Sequence, residues 1–153
     1  MFRGLFLRRC TRAGALIMAQ ADKRLRRIEV PSRSRDQLEV PFEPTYFDDS
    51  AKYSDSSLNQ VLGQADRVIL HVVVLDSGGT YPTLSVHAED SSDNLDWTEV
   101  GAPLVDAESV TTTPALFRAV VPHPHAGFLR FRVEMGGTNP QSFLLVRATL
   151  KFR

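Results

Sequence analysis

The chain has 153 residues, and its 18 basic and 18 acidic side chains give a formal net charge of zero. That length suits one domain with a two-layer core. The only cysteine in the sequence, Cys10, excludes an intramolecular disulfide and a thiolate metal cluster within one chain. No apolar run approaches the roughly 20 residues that a membrane-spanning helix needs.

The zero net charge conceals two oppositely charged segments. Residues 1–35 carry ten basic and two acidic side chains, a charge of +8, whereas residues 36–153 have a charge of −8. Strand-like patterning begins at the same boundary. We therefore predict a basic, flexible N-terminal arm over residues 1–35 and a folded domain over residues 36–153.

The beginning of the arm is open to more than one interpretation. Residues 1–17 hold four arginines, no acid and several apolar side chains. This composition is typical of a mitochondrial transit peptide. A secretory signal fits less well, because arginines interrupt the apolar stretch. Alternatively, translation begins at Met18, and residues 1–17 do not belong to the native protein.

A cluster of arginines in the second half of the arm is the candidate partner-binding site. Its members are Arg24, Arg26, Arg27, Arg33 and Arg35. Such a cluster can contact the phosphates of a nucleic acid or an acidic protein surface. Because the domain is acidic and no aromatic side chains accompany the cluster, we expect a protein partner and no nucleic acid.

The first strand-like segment begins at Gln37. Polar and apolar residues alternate there, which predicts a half-buried strand with Leu38, Val40 and Phe42 on the inward face. Residues 43–66 are mostly polar and are predicted to be a loop, in which Tyr46 and Phe47 are candidates for the core.

Residues 67–75 form the strongest predicted strand. They are apolar on both faces, which predicts a central position in a sheet. Residues 83–89 then alternate, with apolar side chains inward.

Residues 90–96 are a polar loop, and Trp97 at the start of the next strand is predicted to be a large core anchor. Residues 116–121, 128–135 and 142–152 are the remaining strands, the last two strictly alternating.

The phrase Gly-Gly-Thr-x-Pro occurs twice, at residues 78–82 and 136–140. Glycine reaches positive φ without a steric clash, and both Gly-Gly and proline are typical of turns. Strand patterning flanks both copies. We therefore predict two antiparallel hairpins, over residues 67–89 and 127–152. With about seven strands and few helical signals, the predicted fold class is all-β, a single antiparallel β-sandwich of jelly-roll type.

Sites for chemistry are incomplete in this sequence. The acidic loop 90–96 carries carboxylates for Ca²⁺ but lacks the EF-hand glycine and closing glutamate, and the pair His123 and His125 lacks further ligands. No nucleophile elbow, P-loop or Rossmann fingerprint is present. We therefore expect no enzyme activity, no metal and no cofactor. Arg130, Arg132 and Arg147 face outward, either as a small basic stripe or paired with glutamates across strands.

Residues 66–153 resemble a β-sandwich pattern common in tailed-phage virion accessory proteins. The resemblance rests on VILHVVVLDSGGTYPTLSVHAEDSSDNLDWTEVG and AGFLRFRVEMGGTNPQSFLLVRATLKFR. It implies a non-catalytic protein of the capsid, neck or tail. The phrases SSDNLDW and GFLRFRV also resemble discoidin-type and related galactose-binding-like sandwiches, whose loops bind carbohydrate or lipid. The chain lacks the usual Gly after Asp-Asn and shows no evident aromatic platform, which argues against sugar binding.

These observations predict a structural accessory protein that joins a larger assembly, a phage or phage-derived particle put together in a bacterial cytoplasm. Its expected partners are other structural proteins and further copies of itself, without a membrane. The first alternative is a carbohydrate- or ligand-binding β-sandwich module. The second is a mitochondrial β-sandwich protein. A glycan array separates the first two, and the mass of the natural N-terminus tests the third.

Overall fold

The computed structural model describes residues 36–153, which form an antiparallel β-sandwich of seven strands and one short α-helix. The strands are β1 (Asp36–Phe47), β2 (Lys52–Tyr53), β3 (Arg67–Ser91), β4 (Thr98–Glu99), β5 (Val105–Ser109), β6 (Ala115–Val120) and β7 (Phe128–Lys151). A 3₁₀ turn (Ser56–Leu58) leads into helix α1 (Asn59–Gln64). This part of the chain contains no helix long and apolar enough to cross a membrane.

The two long strands β3 and β7 pair with each other along their whole length and belong to both layers of the sandwich. The first layer has the order β1, second half of β7, first half of β3, and β6. In the second layer β2 pairs with the first half of β7, while β4 and β5 pair with the second half of β3. Residues 67–75 are therefore central in the first layer, as predicted.

The predicted hairpins at the Gly-Gly-Thr-x-Pro phrases are wrong. Each phrase lies in the middle of a continuous long strand, and the two phrases face each other across the β3–β7 ladder. The ladder is irregular there, and both Gly79 and Gly137 have positive φ. Glycine at positive φ therefore marks an irregularity within each strand, as in a β-bulge, and not a reversal of the chain.

One hydrophobic cluster joins the inner faces of both layers. Its largest fully buried side chains include Phe47 and Phe131. The alternation predicted for residues 83–89, 128–135 and 142–152 is confirmed as far as Leu150, because the side chains assigned inward are buried. Phe152, also assigned inward, follows the end of β7 and is only half-buried against the core. The segment 43–66 is only partly a loop: β1 continues to Phe47, and β2 and α1 follow. Of the two candidate core aromatics there, Phe47 is buried and Tyr46 is exposed.

The predicted inward face of β1 is correct at Phe42 and wrong at Leu38 and Val40, which are exposed. The register explains the error. Glu39 pairs with Ala148 and Phe42 with Val146, so two residues of β1 lie opposite the single residue 147. This bulge inserts one extra residue and reverses which side chains face the core on its two sides.

Candidate functional site

The outer face of the second layer carries an arginine held between two aromatic rings. The Arg130 guanidinium lies 4.3 Å from the ring centroid of Tyr53 and 4.2 Å from that of Trp97. Tyr53 is 48% exposed, and Trp97 is half-buried. These are cation–π distances. The prediction that Trp97 anchors the core is therefore wrong: the residue lies just before the two-residue strand β4 and stacks on a surface arginine.

Glu89 neutralises the same arginine and is itself almost buried. Arg130 lies directly opposite Glu89 in the β3–β7 register, and its Nε donates to Glu89 Oε2 at 2.7 Å. Arg132 Nε lies 3.4 Å from the other carboxylate oxygen. Glu89 is only 7% exposed, so its charge requires such partners. Two of the three predicted outward arginines thus pair with glutamate across strands and do not form a basic stripe.

A second acidic group, Glu99, extends this charged network. Glu99 Oε1 lies 2.7 Å from His87 Nδ1, and Glu99 Oε2 lies 3.7 Å from Arg132 Nη2. The hydrogen bond with His87, and to a lesser extent the charges of His87 and Arg132, hold the pKa of Glu99 below its ordinary value. The resulting charged face presents paired ions beside two partly exposed rings, an arrangement suited to binding a polar ligand.

The acidic loop is organised by its own hydrogen bonds. Asp93 Oδ1 accepts from the backbone N–H groups of Leu95 at 2.9 Å and Asp96 at 3.0 Å, and from Ser91 Oγ at 2.9 Å. These bonds lower the pKa of Asp93. Asp93 Oδ1 therefore organises this loop by accepting three hydrogen bonds from within it.

The two loop histidines contact each other. The rings of His123 and His125 meet edge to face with centroids 5.4 Å apart, and His125 Nδ1 lies 3.2 Å from the carbonyl oxygen of Ala126. Over residues 36–153, no group of three or more metal-ligating side chains is brought together.

The outer face of the first layer is apolar and exposed. Within the described part of the chain nine large hydrophobic side chains are exposed, and six of them belong to strands of this layer. These six are Leu38, Val40, Tyr46, Leu75, Leu116 and Val120. Leu116 is 69% exposed and Leu38 is 59% exposed. Single exposed apolar residues are ordinary, but their concentration on one layer is typical of a protein-binding surface.

A row of basic residues crosses this apolar face. The register places Arg147 of β7 beside His71 of β3, and His71 beside Arg118 of β6. The next row of side chains on one side of this basic row is two residues away along the strands, and it contains Ile69 and Val120. On the other side lie Leu145, Val73 and Leu116. Arg147, the third predicted outward arginine, therefore belongs to a different surface from Arg130 and Arg132.

The same side chains form an open groove of about 420 Å³. Its lining consists of Leu38, His71, Val73, Leu116, Leu145 and Arg147. We call the groove, with Arg118 and Val120 beside it, the first-layer face. The sequence predicted no function for this face; its one local signal was the segment 67–75, which is apolar apart from Arg67 and His71. The predicted partner-binding residues Arg24, Arg26, Arg27, Arg33 and Arg35 lie outside the described residues.

No protein-family model and no curated protein matches this chain. Solved structures do match in fold. One is the infectious bursal disease virus VP2 subviral particle, with a TM-score of 0.54 and 10% identity. That match covers 80% of this chain and 33% of VP2, so the chain spans about a third of the VP2 length.

Another match is the CBM22-1 xylan-binding domain of Paenibacillus barcinonensis Xyn10C, with a TM-score of 0.53 and 13% identity. It covers 81% of this chain and 99% of that domain. The PBSX exported protein XepA has a TM-score of 0.47 at 18% identity, covering 76% of this chain and 37% of XepA. The chain is thus a β-sandwich with distant likeness to both viral and carbohydrate-binding proteins.

Proposed function

We propose that this chain is a non-enzymatic structural protein that joins a larger protein assembly, a phage or phage-derived particle. The observation that carries the proposal is the first-layer face, where Leu38 and Leu116 remain largely exposed. Leaving large apolar side chains in water is unfavourable, and burying each one is worth about 1.5–3 kcal/mol. A face of this kind favours attachment to another protein over small-molecule chemistry.

The likeness to VP2 supports this role only at the level of fold. VP2 forms subviral particles, and the present chain matches about a third of it. The expected partners are structural proteins of the particle, including further copies of this chain. The expected location is the particle itself, assembled in a bacterial cytoplasm.

Particle incorporation tests the proposal. Particles are sedimented through a density gradient, and the chain is quantified in them by mass spectrometry, as wild type and as Leu116→Glu. We expect the wild type to co-sediment at a fixed ratio to the shell protein and Leu116→Glu to be strongly depleted. Leu95→Glu is the matched control, since Leu95 is also exposed but lies in the loop before β4. A wild-type chain absent from the particles contradicts the proposal.

A carbohydrate-binding module is the second candidate, favoured by the charged face. Aromatic rings beside paired ions offer stacking surfaces and hydrogen-bond groups for a sugar, and Trp97 and Tyr53 are both accessible. The xylan-binding sandwich shares the fold. A glycan array tests this candidate with Trp97→Ala as the control. Binding by the wild type that disappears in Trp97→Ala favours the module, and an array without any binding argues against it.

A further inference from the structure

We propose that the first-layer face binds an extended segment of another protein in which one acidic residue lies between two apolar residues, at positions i, i+2 and i+4. The inference rests on the proposed function, because it names the partner that the same face would take. It follows from the order of rows on the face, from the spacing of those rows, and from the composition of the chain.

The order of rows is apolar, basic, apolar. One outer row holds the apolar Leu38, Ile69 and Val120 together with Thr149, the middle row holds Arg147, His71 and Arg118, and the third row holds Leu145, Val73 and Leu116. Within residues 36–153, neither Arg147 nor Arg118 has a carboxylate within salt-bridge distance, whereas Arg130 and Arg132 on the charged face do. A partner that covers the rows must therefore supply an anion to the middle one, since a buried unpaired guanidinium is costly.

The spacing of rows selects an extended partner. Adjacent rows are two residues apart along the strands, which is about 6.7 Å. Side chains at i, i+2 and i+4 of a strand have the same spacing and lie on one face. Because stacked strands align within about 30°, a strand laid along β3 sets its three side chains against the three rows.

The composition of the chain argues for a different protein as the occupant. None of the 18 acidic residues in the sequence has a Leu, Ile, Val, Met, Phe, Tyr or Trp two residues away on both sides. A second copy therefore offers no segment of the required kind. The same holds for the sequence of residues 1–35, because neither Asp22 nor Glu29 has apolar residues two positions away on both sides.

A synthetic probe tests this directly. A cyclised hairpin peptide that displays Leu-Thr-Glu-Thr-Leu on one strand is titrated into the ¹⁵N-labelled full chain, followed by NMR. A second hairpin carries Lys in place of Glu. We expect only the Glu hairpin to bind, with shifts at Leu38, Leu116 and Leu145, and with affinity that falls as salt rises.

Charge reversal supplies the specific control. The double variant Arg118→Glu/Arg147→Glu should bind the Glu hairpin about tenfold more weakly and should gain affinity for the Lys hairpin. Arg67→Glu, which reverses an exposed arginine at the first residue of β3, outside the three rows, should change both affinities much less than the double variant does. Retained thermal stability of the variants shows that the fold is intact, because all three positions are exposed.

Several outcomes overturn the inference. Equal binding of the two hairpins, no binding of the Glu hairpin, or shifts confined to Tyr53 and Trp97 each contradict it. So does sedimentation that shows self-association through this face, abolished by Leu116→Ser. The titration needs no particle, so its failure is distinguishable from a failure of particle incorporation. A chain that enters particles but does not bind the Glu hairpin has the proposed function and a different partner.

Discussion

Thr80 lies directly opposite Thr138 in the ladder between β3 and β7. The two Gly-Gly-Thr-x-Pro phrases thus meet at the point where both long strands leave one layer and enter the other. Each phrase contributes one glycine at positive φ, 98° at Gly79 and 107° at Gly137. A side chain at either glycine would clash with the opposite phrase. A Cβ on Gly79, for example, would lie 2.5 Å from the backbone carbonyl oxygen of Asn139.

The first prediction follows from this crossing. Gly79→Ala and Gly137→Ala should each lower the free energy of unfolding by about 1–3 kcal/mol, because alanine is strained at these φ values and its Cβ collides with backbone. Gly78→Ala is the control, since its added Cβ would meet only the Gln141 oxygen at 3.9 Å. Urea unfolding measures all three. Equal stabilities for the three variants would show that the crossing tolerates a side chain.

The second prediction separates surface from core aromatics. Trp97→Ala should cost about 1–2 kcal/mol, because the ring is only half-buried and its main contact is a cation–π contact at the surface. Phe131→Ala should cost about 3–5 kcal/mol, because Phe131 is fully buried. Thermal unfolding checks both.

The same side chain also offers a spectroscopic check. Trp97 is the only tryptophan, so its fluorescence should be quenched by iodide in the folded protein. Blue-shifted emission that iodide does not quench, together with a large loss of unfolding free energy in Trp97→Ala, would show that Trp97 lies in the core.

The strand patterns show what this sequence reveals about the fold. Alternation identified the buried side chains of residues 128–135 and 142–150, because both segments pair with β3 in regular register and have one face toward the core and one toward solvent. It failed at Leu38, where a bulge shifts the alternation by one residue. It also failed at Gly-Gly, since glycine at positive φ serves a bulge as well as a turn. Only long-range pairing distinguishes these two uses.

The candidate surfaces depended even more on tertiary structure. Trp97 was assigned to the core on its hydrophobicity alone, and nothing local indicates that Arg130, 33 residues later, stacks on its ring. The first-layer face combines side chains from β1, β3, β6 and β7. The only local feature that indicated this face was the segment 67–75. Because it has apolar residues on both faces, we predicted that both faces are covered, but Val73 lines the open groove.

The third prediction concerns the ion pair of Glu89. Arg130→Met should destabilise the fold by about 1–3 kcal/mol, because it leaves a nearly buried carboxylate without its main partner. Adding Glu89→Leu should recover much of the loss, since the unpaired charge is then removed. Lys151→Met, which breaks the exposed pair with Asp36 at 3.5 Å, is the control and should change stability by less than about 1 kcal/mol. A larger effect of Lys151→Met than of Arg130→Met would contradict this.

The fourth prediction concerns acid stability. The pKa of Glu99 is lowered from its ordinary 4.5, chiefly by the hydrogen bond with His87. The folded state therefore binds this proton less readily than the unfolded state, so the stabilisation is full above pH 4.5 and disappears as the pH falls through the lowered pKa. Glu99→Gln should flatten the acid side of a Tm-against-pH curve by about 1–3 °C, because the carboxylate is partly exposed. The same substitution at the exposed Glu108 should leave the curve unchanged, and identical curves for wild type and Glu99→Gln would refute the coupling.

The last prediction concerns the arm. The hydrophobic cluster of the described residues runs from Phe42 to Leu150, so a chain lacking residues 1–35 should fold and keep its unfolding temperature. Incorporation into particles should nevertheless weaken, because the arm carries a charge of +8 that can meet an acidic surface. Screening acts over about 8 Å at physiological salt, so incorporation of the full chain should fall as salt rises. Combining the deletion with Leu116→Glu separates the two contacts. If the truncated chain enters particles as well as the full chain at every salt concentration, attachment runs through the first-layer face alone, and Leu116→Glu by itself should then abolish it.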